Sequence, residues 1–239
     1  MRVTDKAIVL QSIKYGDKKL ILKLYTQHNG LLTVSAVTAK TASSKIKPGS
    51  ILPLSLVDVE LILKQNKEIH QLTEASSYAI LANIPLSLSK LTIAQFLNEI
   101  LIKSLKEQAA NSNLFEFVET CLHYLNDIET GFENLHLYFL SELTKYLGFE
   151  PQNNYSARYP FFDCREGQFS AQALALPLGL NKEESQLFSE FLKVNSLQER
   201  ISNNQRQDLL NMLLCYYKLH VPGFNDIKSL EVLREVIAG

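Results

Sequence analysis

The hydrophobic period of this chain changes once, near Ser76, and the change restricts each side to a different kind of element. Before it, apolar residues alternate with polar ones, which is the two-residue period of a strand. After it they recur every three or four residues, as on one face of a helix. "KKLILKLYT" sets Leu20, Leu22 and Leu24 against Lys19, Ile21, Lys23 and Tyr25. "SILPLSLVDVELILKQ" sets Leu54, Leu56, Asp58, Glu60 and Ile62 against Val57, Val59, Leu61 and Leu63. "KAIVLQSIKY", "GLLTVSAVT" and "EIHQLTEA" complete the series, and Asn29-Gly30 predicts a hairpin between the second and third strands. Five or six short strands with near-regular turn signals predict a small barrel or sandwich, and a five-stranded OB-type barrel fits the length.

Beyond the switch, "SLSKLTIAQFLNEILIKSLKEQAA" carries an apolar stripe of Phe96, Leu97, Ile100, Leu101 and Leu105. A second helix is expected from Asn113 to about Asn126. A third, with Leu135, Phe139, Leu143 and Leu147 on one face, should stop at Gly148, with Pro151 just beyond. Residues 152–177 read as irregular, with a small hairpin about Glu166-Gly167. Asn181 and Glu184 form a capping-box pattern for a helix through Lys193. Leu209, Leu210, Leu213, Leu214 and Tyr217 define a further helix ended by Val221-Pro222-Gly223, and a last one starts after Ser229. The expected class is α+β: an OB-type barrel domain over 1–78, then an α-helical domain over 79–239 with an irregular insertion at about 150–180.

Much is excluded. A chain of 239 residues that is 46% hydrophobic and 21% charged is too apolar for disorder. The N-terminal apolar run is too short for a signal peptide, and no stretch approaches a membrane span. Three scattered cysteines, Cys121, Cys164 and Cys215, fit free thiols in the cytoplasm. No dinucleotide fingerprint, P-loop or nucleophile elbow occurs, and the five histidines are scattered. Neither a catalytic constellation nor a cofactor is expected. An unfamiliar enzyme would require Asp163, Arg165 and Glu166 to converge on a pocket.

The net charge of −1 hides an asymmetry. Residues 1–80 hold eleven Lys or Arg against six Asp or Glu, whereas the remainder is net acidic. Between Asp17 and Asp58 there is no acid, while Lys18, Lys19, Lys23, Lys40, Lys45 and Lys47 all fall there. Two readings are open. The lysines keep an exposed sheet soluble and unpaired at its edges, or they face the phosphates of a single strand whose bases stack on aromatic rings. On the second reading Lys40, Lys45 and Lys47 supply one loop and Tyr15, Lys18 and Lys19 another. A protein partner with an acidic surface is the alternative for the same lysines.

Several stretches, in order along the chain, resemble the bacterial recombination mediator RecO family. They are "KAIVLQSIKYGDKKLILKLYTQHNGLLTVSAVTAK", "ILPLSLVDVELIL", "LTKYLGFEP" and "LLCYYKLHVPGFNDIKSLEVLREV". The resemblance implies an OB domain followed by helices and a non-enzymatic role in DNA repair. It further implies binding of single-stranded and duplex DNA and strand annealing. RecR and the acidic, Phe-ended tail of the single-strand-binding protein are the implied partners, and RecA is loaded indirectly. Lys40, Lys45 and Lys47 occupy the family's basic stretch, and Tyr15, Lys18 and Lys19 its Tyr-Gly loop. Many relatives place paired cysteines after the "LGFEP"-type motif. Here that segment holds only Cys164, so no intact zinc ribbon is expected, and Phe161, Phe162 and Phe169 should fill the space around a packed thiol.

Overall fold

The structure, a computed structural model, describes residues 1–16, 19–37, 45–106, 109–194, 197 and 200–238. Two compact units divide the chain: Met1–Ala94 with Ile100–Asp127, and Gln95–Glu99 with Ile128–Gly239.

The first unit is built on five strands: β1 (Arg2–Lys14), β2 (Lys19–Thr26), β3 (Gly30–Val37), β4 (Leu56–Ile62) and β5 (Ile69–Ala79). They close into a barrel in the order β1-β2-β3-β5-β4, which leaves no free sheet edge. The predicted hairpin is present. Its turn is held by the Thr26 hydroxyl donating to the Gly30 carbonyl at 2.9 Å. The closing seam is a short parallel pairing of Thr33, Val34 and Ser35 with Ile69, His70 and Gln71. Alternation fills the interior with Ala7, Val9, Leu22, Leu24, Leu32, Val34, Val57, Val59, Leu61 and Leu72. A bulge between Val9 and Gln11 shifts the β1 register, so that Gln11 and Ile13 face outward opposite Lys23 and Ile21.

Helix α1 spans Leu88–Ser104, capped by the Ser87 side chain, and α2 spans Ser112–Asp127. The start of α2 covers part of the outer face of β2. There the Tyr25 ring lies 6.2 Å from that of Phe115, and its hydroxyl donates to the Asn111 carbonyl. Burial there pushes the Tyr25 phenol up to about 12. At the other end of α2 the buried Lys90 ammonium donates to the Asn126 carbonyl at 2.9 Å, a cation on a helix C-terminus.

The second unit contains α3 (Leu135–Leu147), α4 (Lys182–Val194), α5 (Asn203–His220), α6 (Leu230–Ala238) and a hairpin of β6 (Phe161–Asp163) with β7 (Gln168–Ser170). Gly148 takes the left-handed conformation that ends α3, and the Asn181–Glu184 capping box starts α4. The hairpin packs aromatically, with the Phe162 ring 5.0 Å from Phe169, 4.8 Å from Phe188 and 5.7 Å from Tyr216. Phe162 and Phe169 are buried and Phe161 is half-buried. Cys164 is buried beside them, and burial pushes its thiol up to about 12. Asp163, Arg165 and Glu166 sit at the hairpin turn, where the Asp163 carboxylate accepts from the Arg165 and Glu166 amides. No helix among the described residues is long and apolar enough to cross a membrane.

Candidate nucleic-acid interface

Because Leu20, Leu22 and Leu24 turn into the barrel, Lys19, Ile21 and Lys23 must turn out of it. The register places Ile13 opposite Ile21 and Gln11 opposite Lys23 on one side. On the other side Val37, Ser35 and Thr33 stand opposite Lys19, Ile21 and Lys23. One outward surface of β1–β3 therefore carries apolar residues, hydroxyls and lysines; β2 and β3 contain no carboxylate, and the one acid of β1, Asp5, is buried. Tyr15 (67% exposed), Val37 (62%) and Ile13 (51%) stand open on it. Such a surface offers bases something flat or apolar and offers phosphates a cation.

This surface runs into a groove of about 390 Å³ beside the β3–β5 seam, lined by Lys19, Ser35, Val37, Lys64, Gln71 and Thr73. The seam pairs only three residues on each strand, and the groove lies alongside that short ladder. Its two lysines come from segments more than forty residues apart in the chain.

The surface on the opposite strands mixes both signs. Asp58, Glu60 and Glu74 project from β4 and β5 and, with Asp5 and Lys6, line a hollow of about 560 Å³, Lys6 standing opposite Asp58 in the ladder. Arg2 pairs with Glu60, and Lys45 with Glu74 at 2.8 Å. The Glu74 carboxylate raises the Lys45 ammonium above its usual value. The acids on this side each stand beside a cation, whereas the lysines on β2 have no acid on their own strand or on β3.

The residues singled out from sequence fall as follows. Tyr15 and Lys19 lie on the carboxylate-free surface, and the Tyr15 amide donates to the Lys19 carbonyl at 2.8 Å, closing their loop. Lys18 and Lys40 lie outside the described residues. Lys45 lies on the β4–β5 side, bonded to Glu74, next to Ile46, which pairs with Ala75 of β5. Lys47 is exposed at the start of a short 3₁₀ turn, Pro48–Ile51. Lys23 on β2 and Lys64 in the groove also stand at this surface. For Lys23 a signal existed, since alternation puts it on the same side of β2 as Lys19. For Lys64 none did, because only the closed barrel brings it into place.

In the second unit, α5, α6 and the connection between them line a groove of about 630 Å³. Leu214, Phe224, Ile227 and Leu230 give it an apolar floor, with Lys218, Lys228 and Arg234 at its sides. Lys218 pairs with Asp226 at 2.9 Å, and Arg234 donates to the Asn211 side chain. Among the described residues no group of three or more His, Cys, Asp or Glu side chains could hold a metal ion.

The closed barrel, its cationic surface and the helices that follow define an OB-type protein with a helical second half. Comparison with known proteins agrees along the whole chain. The family model described as Recombination protein O N terminal matches residues 1–80, and Recombination protein O C terminal matches residues 85–231. The DNA repair protein RecO of Flavobacterium psychrophilum is 36% identical over 245 residues, covering 100% of both chains. That of Flavobacterium johnsoniae is 34% identical, again with 100% of each covered. That of Azobacteroides pseudotrichonymphae is 32% identical, covering 99% of each. The chain belongs to the RecO family of DNA repair proteins.

Proposed function

We propose that the protein is a non-enzymatic recombination mediator that binds and anneals DNA strands. With RecR, it helps load RecA onto single strands coated by the single-strand-binding protein. The observation that carries this reading is the outward surface of β2 and β3, which holds lysines and hydroxyls with no carboxylate on either strand and is continuous with the Lys19–Lys64 groove. Annealing needs no bond to be made or broken. Two strands repel through their phosphates, and a surface that neutralises one backbone while leaving base edges open lowers that barrier. Lys19 and Lys64 hold the backbone in the groove, and Tyr15 offers a ring to a base. Lys18, Lys40 and Lys47 extend the field, and Lys45 joins them where a phosphate displaces Glu74. On this reading residues 1–78 form the DNA-binding domain and residues 79–239 the partner-binding one. The free thiols fit work in the cytoplasm.

The groove between α5 and α6 suits the tail of the single-strand-binding protein. An acidic peptide ending in Phe requires an apolar floor for the ring and cations for the carboxylates, and both are there.

The test is annealing of two complementary oligonucleotides, followed by quenching of a label. Lys19→Glu with Lys64→Glu is expected to lower the annealing rate at least tenfold. Lys40→Glu, Lys45→Glu and Lys47→Glu together should also lower it. Folded variants of the first kind that anneal at the wild-type rate would contradict the reading.

A further inference from the structure

The hydroxyls that line the groove beside the β3–β5 seam have no proton left to give. Ser35 stands opposite Gln71 in the parallel ladder, and Thr73 follows on the same side of β5. Ser35 Oγ lies 3.2 Å from the His70 carbonyl, and Thr73 Oγ1 lies 3.0 Å from the Glu60 carbonyl. A carbonyl only accepts, so each hydroxyl is the donor, and its single proton is spent on the barrel's own backbone. What the two side chains can still offer the groove is lone pairs. The exposed Gln71 amide beside them can both donate and accept.

Lone pairs turned toward a phosphate oppose it, since its oxygens only accept. They suit a group with N–H bonds to give. The cations of the lining come from other segments. Lys19 stands opposite Val37 on β2, and Lys64 lies between β4 and β5, its amide donating to His70 Nδ1 at 3.2 Å. Val37, well exposed, adds an apolar wall. A cleft of about 390 Å³ is of a size for one small ligand. Acceptors, an apolar wall and two separate cations match one nucleotide, with its base turned in and its phosphates left on the lysines. Cytosine, adenine and guanine carry an exocyclic amino group; thymine has none and shows carbonyl oxygens.

We propose that the seam groove holds one base of a bound single strand and reads its exocyclic amino group through the Ser35 and Thr73 oxygens, favouring cytosine over thymine there. This rests on the DNA-binding reading above and adds to it a base preference, which phosphate contacts alone do not supply.

The experiment is binding of labelled oligo-dC and oligo-dT of one length to the full chain at several salt concentrations. The wild type should bind oligo-dC several-fold more tightly. The slope of log affinity against log salt should be the same for both, because both strands set the same phosphates on the lysines. Ser35→Ala with Thr73→Val removes the two acceptors. It should bring oligo-dC down to the affinity of oligo-dT and leave the slope unchanged. Each single variant should close part of the gap, which tests the site even where the double variant does not fold. Lys64→Gln should do the reverse, making the slope shallower for both strands while their ratio stays. Equal binding of the two strands by the wild type, or a folded double variant that keeps the preference, would overturn the base site and leave the DNA-binding reading standing. Absence of binding to either strand by the wild type at low salt would overturn both.

Discussion

His136 is wholly buried on α3, with the ring of Phe96 edge-on at 6.1 Å and its Nδ1 without a partner among the described residues. Burial, and after it the positive charge of Arg206, pushes its pKa down to about 3, with only a backbone contact at Glu133 acting the other way. The imidazole is therefore neutral in the folded protein wherever the chain stays folded. In the unfolded chain it titrates near 6.5. Between those values the unfolded state binds the extra proton, so the stabilisation is complete above about pH 6.5 and is lost as the pH falls toward 3. The loss approaches about 1.4 kcal/mol per pH unit in that window. Urea midpoints measured from pH 7.5 to 5 should fall, and His136→Phe should flatten part of that fall. An unchanged profile in the variant would assign the slope to other groups. The same desolvation keeps Cys164 a thiol, which makes it a packing residue and a poor nucleophile.

Strands and helices are joined by a few polar contacts whose loss is measurable. Asp5, at the inward side of β1, has a fully buried side chain that accepts from the backbone amides of Lys6 and His28 and the side chain of Asn29. His28 Nδ1 lies 2.9 Å from it as well. This carboxylate ties β1 to the β2–β3 turn, and its removal leaves several donors to find water. Asp5→Ala should cost about 2–3 kcal/mol, read from urea unfolding, with Asp5→Asn intermediate; an effect below about 0.5 kcal/mol would show that the turn holds without it. The elements themselves were legible because their periods are clean. "KKLILKLYT" alternates without a break, and the Asn181–Glu184 pair announces the start of α4 in a form that its side-chain bonds repeat. The bulge after Val9 was not legible, since an extra residue in a strand leaves no mark on a short apolar run. Nor was the β3–β5 seam, because a three-residue parallel pairing between distant segments has no local signature. That seam brings Lys64 next to Lys19, so part of the site was unreadable for the same reason. The basic loop stands out because its lysines crowd one acid-free stretch of the chain, whereas Lys45 proves to be paired with an acid from β5.

A nearly neutral protein can still present a polyanion with a strong field if its charges are segregated. Here the segregation occurs twice. The first 80 residues are basic and the rest acidic, and within the barrel the acids gather on β4 and β5 while β2 and β3 have none. In a closed barrel with no edge to protect, solubility alone gives no reason to keep carboxylates off both β2 and β3. Aromatic packing of the β6–β7 hairpin, with Gly167 lying against the Tyr216 hydroxyl, ties the hairpin to α5 in the second unit. The most direct test is therefore electrostatic. Fluorescence anisotropy of a labelled oligo-dT, titrated with the wild-type chain at three salt concentrations, should give binding whose log affinity falls linearly with log salt. The slope should be about −0.7 for each phosphate held, amounting to several contacts in all. No binding at low salt, or binding indifferent to salt, would contradict the DNA interface and turn the β1–β3 surface over to a protein partner.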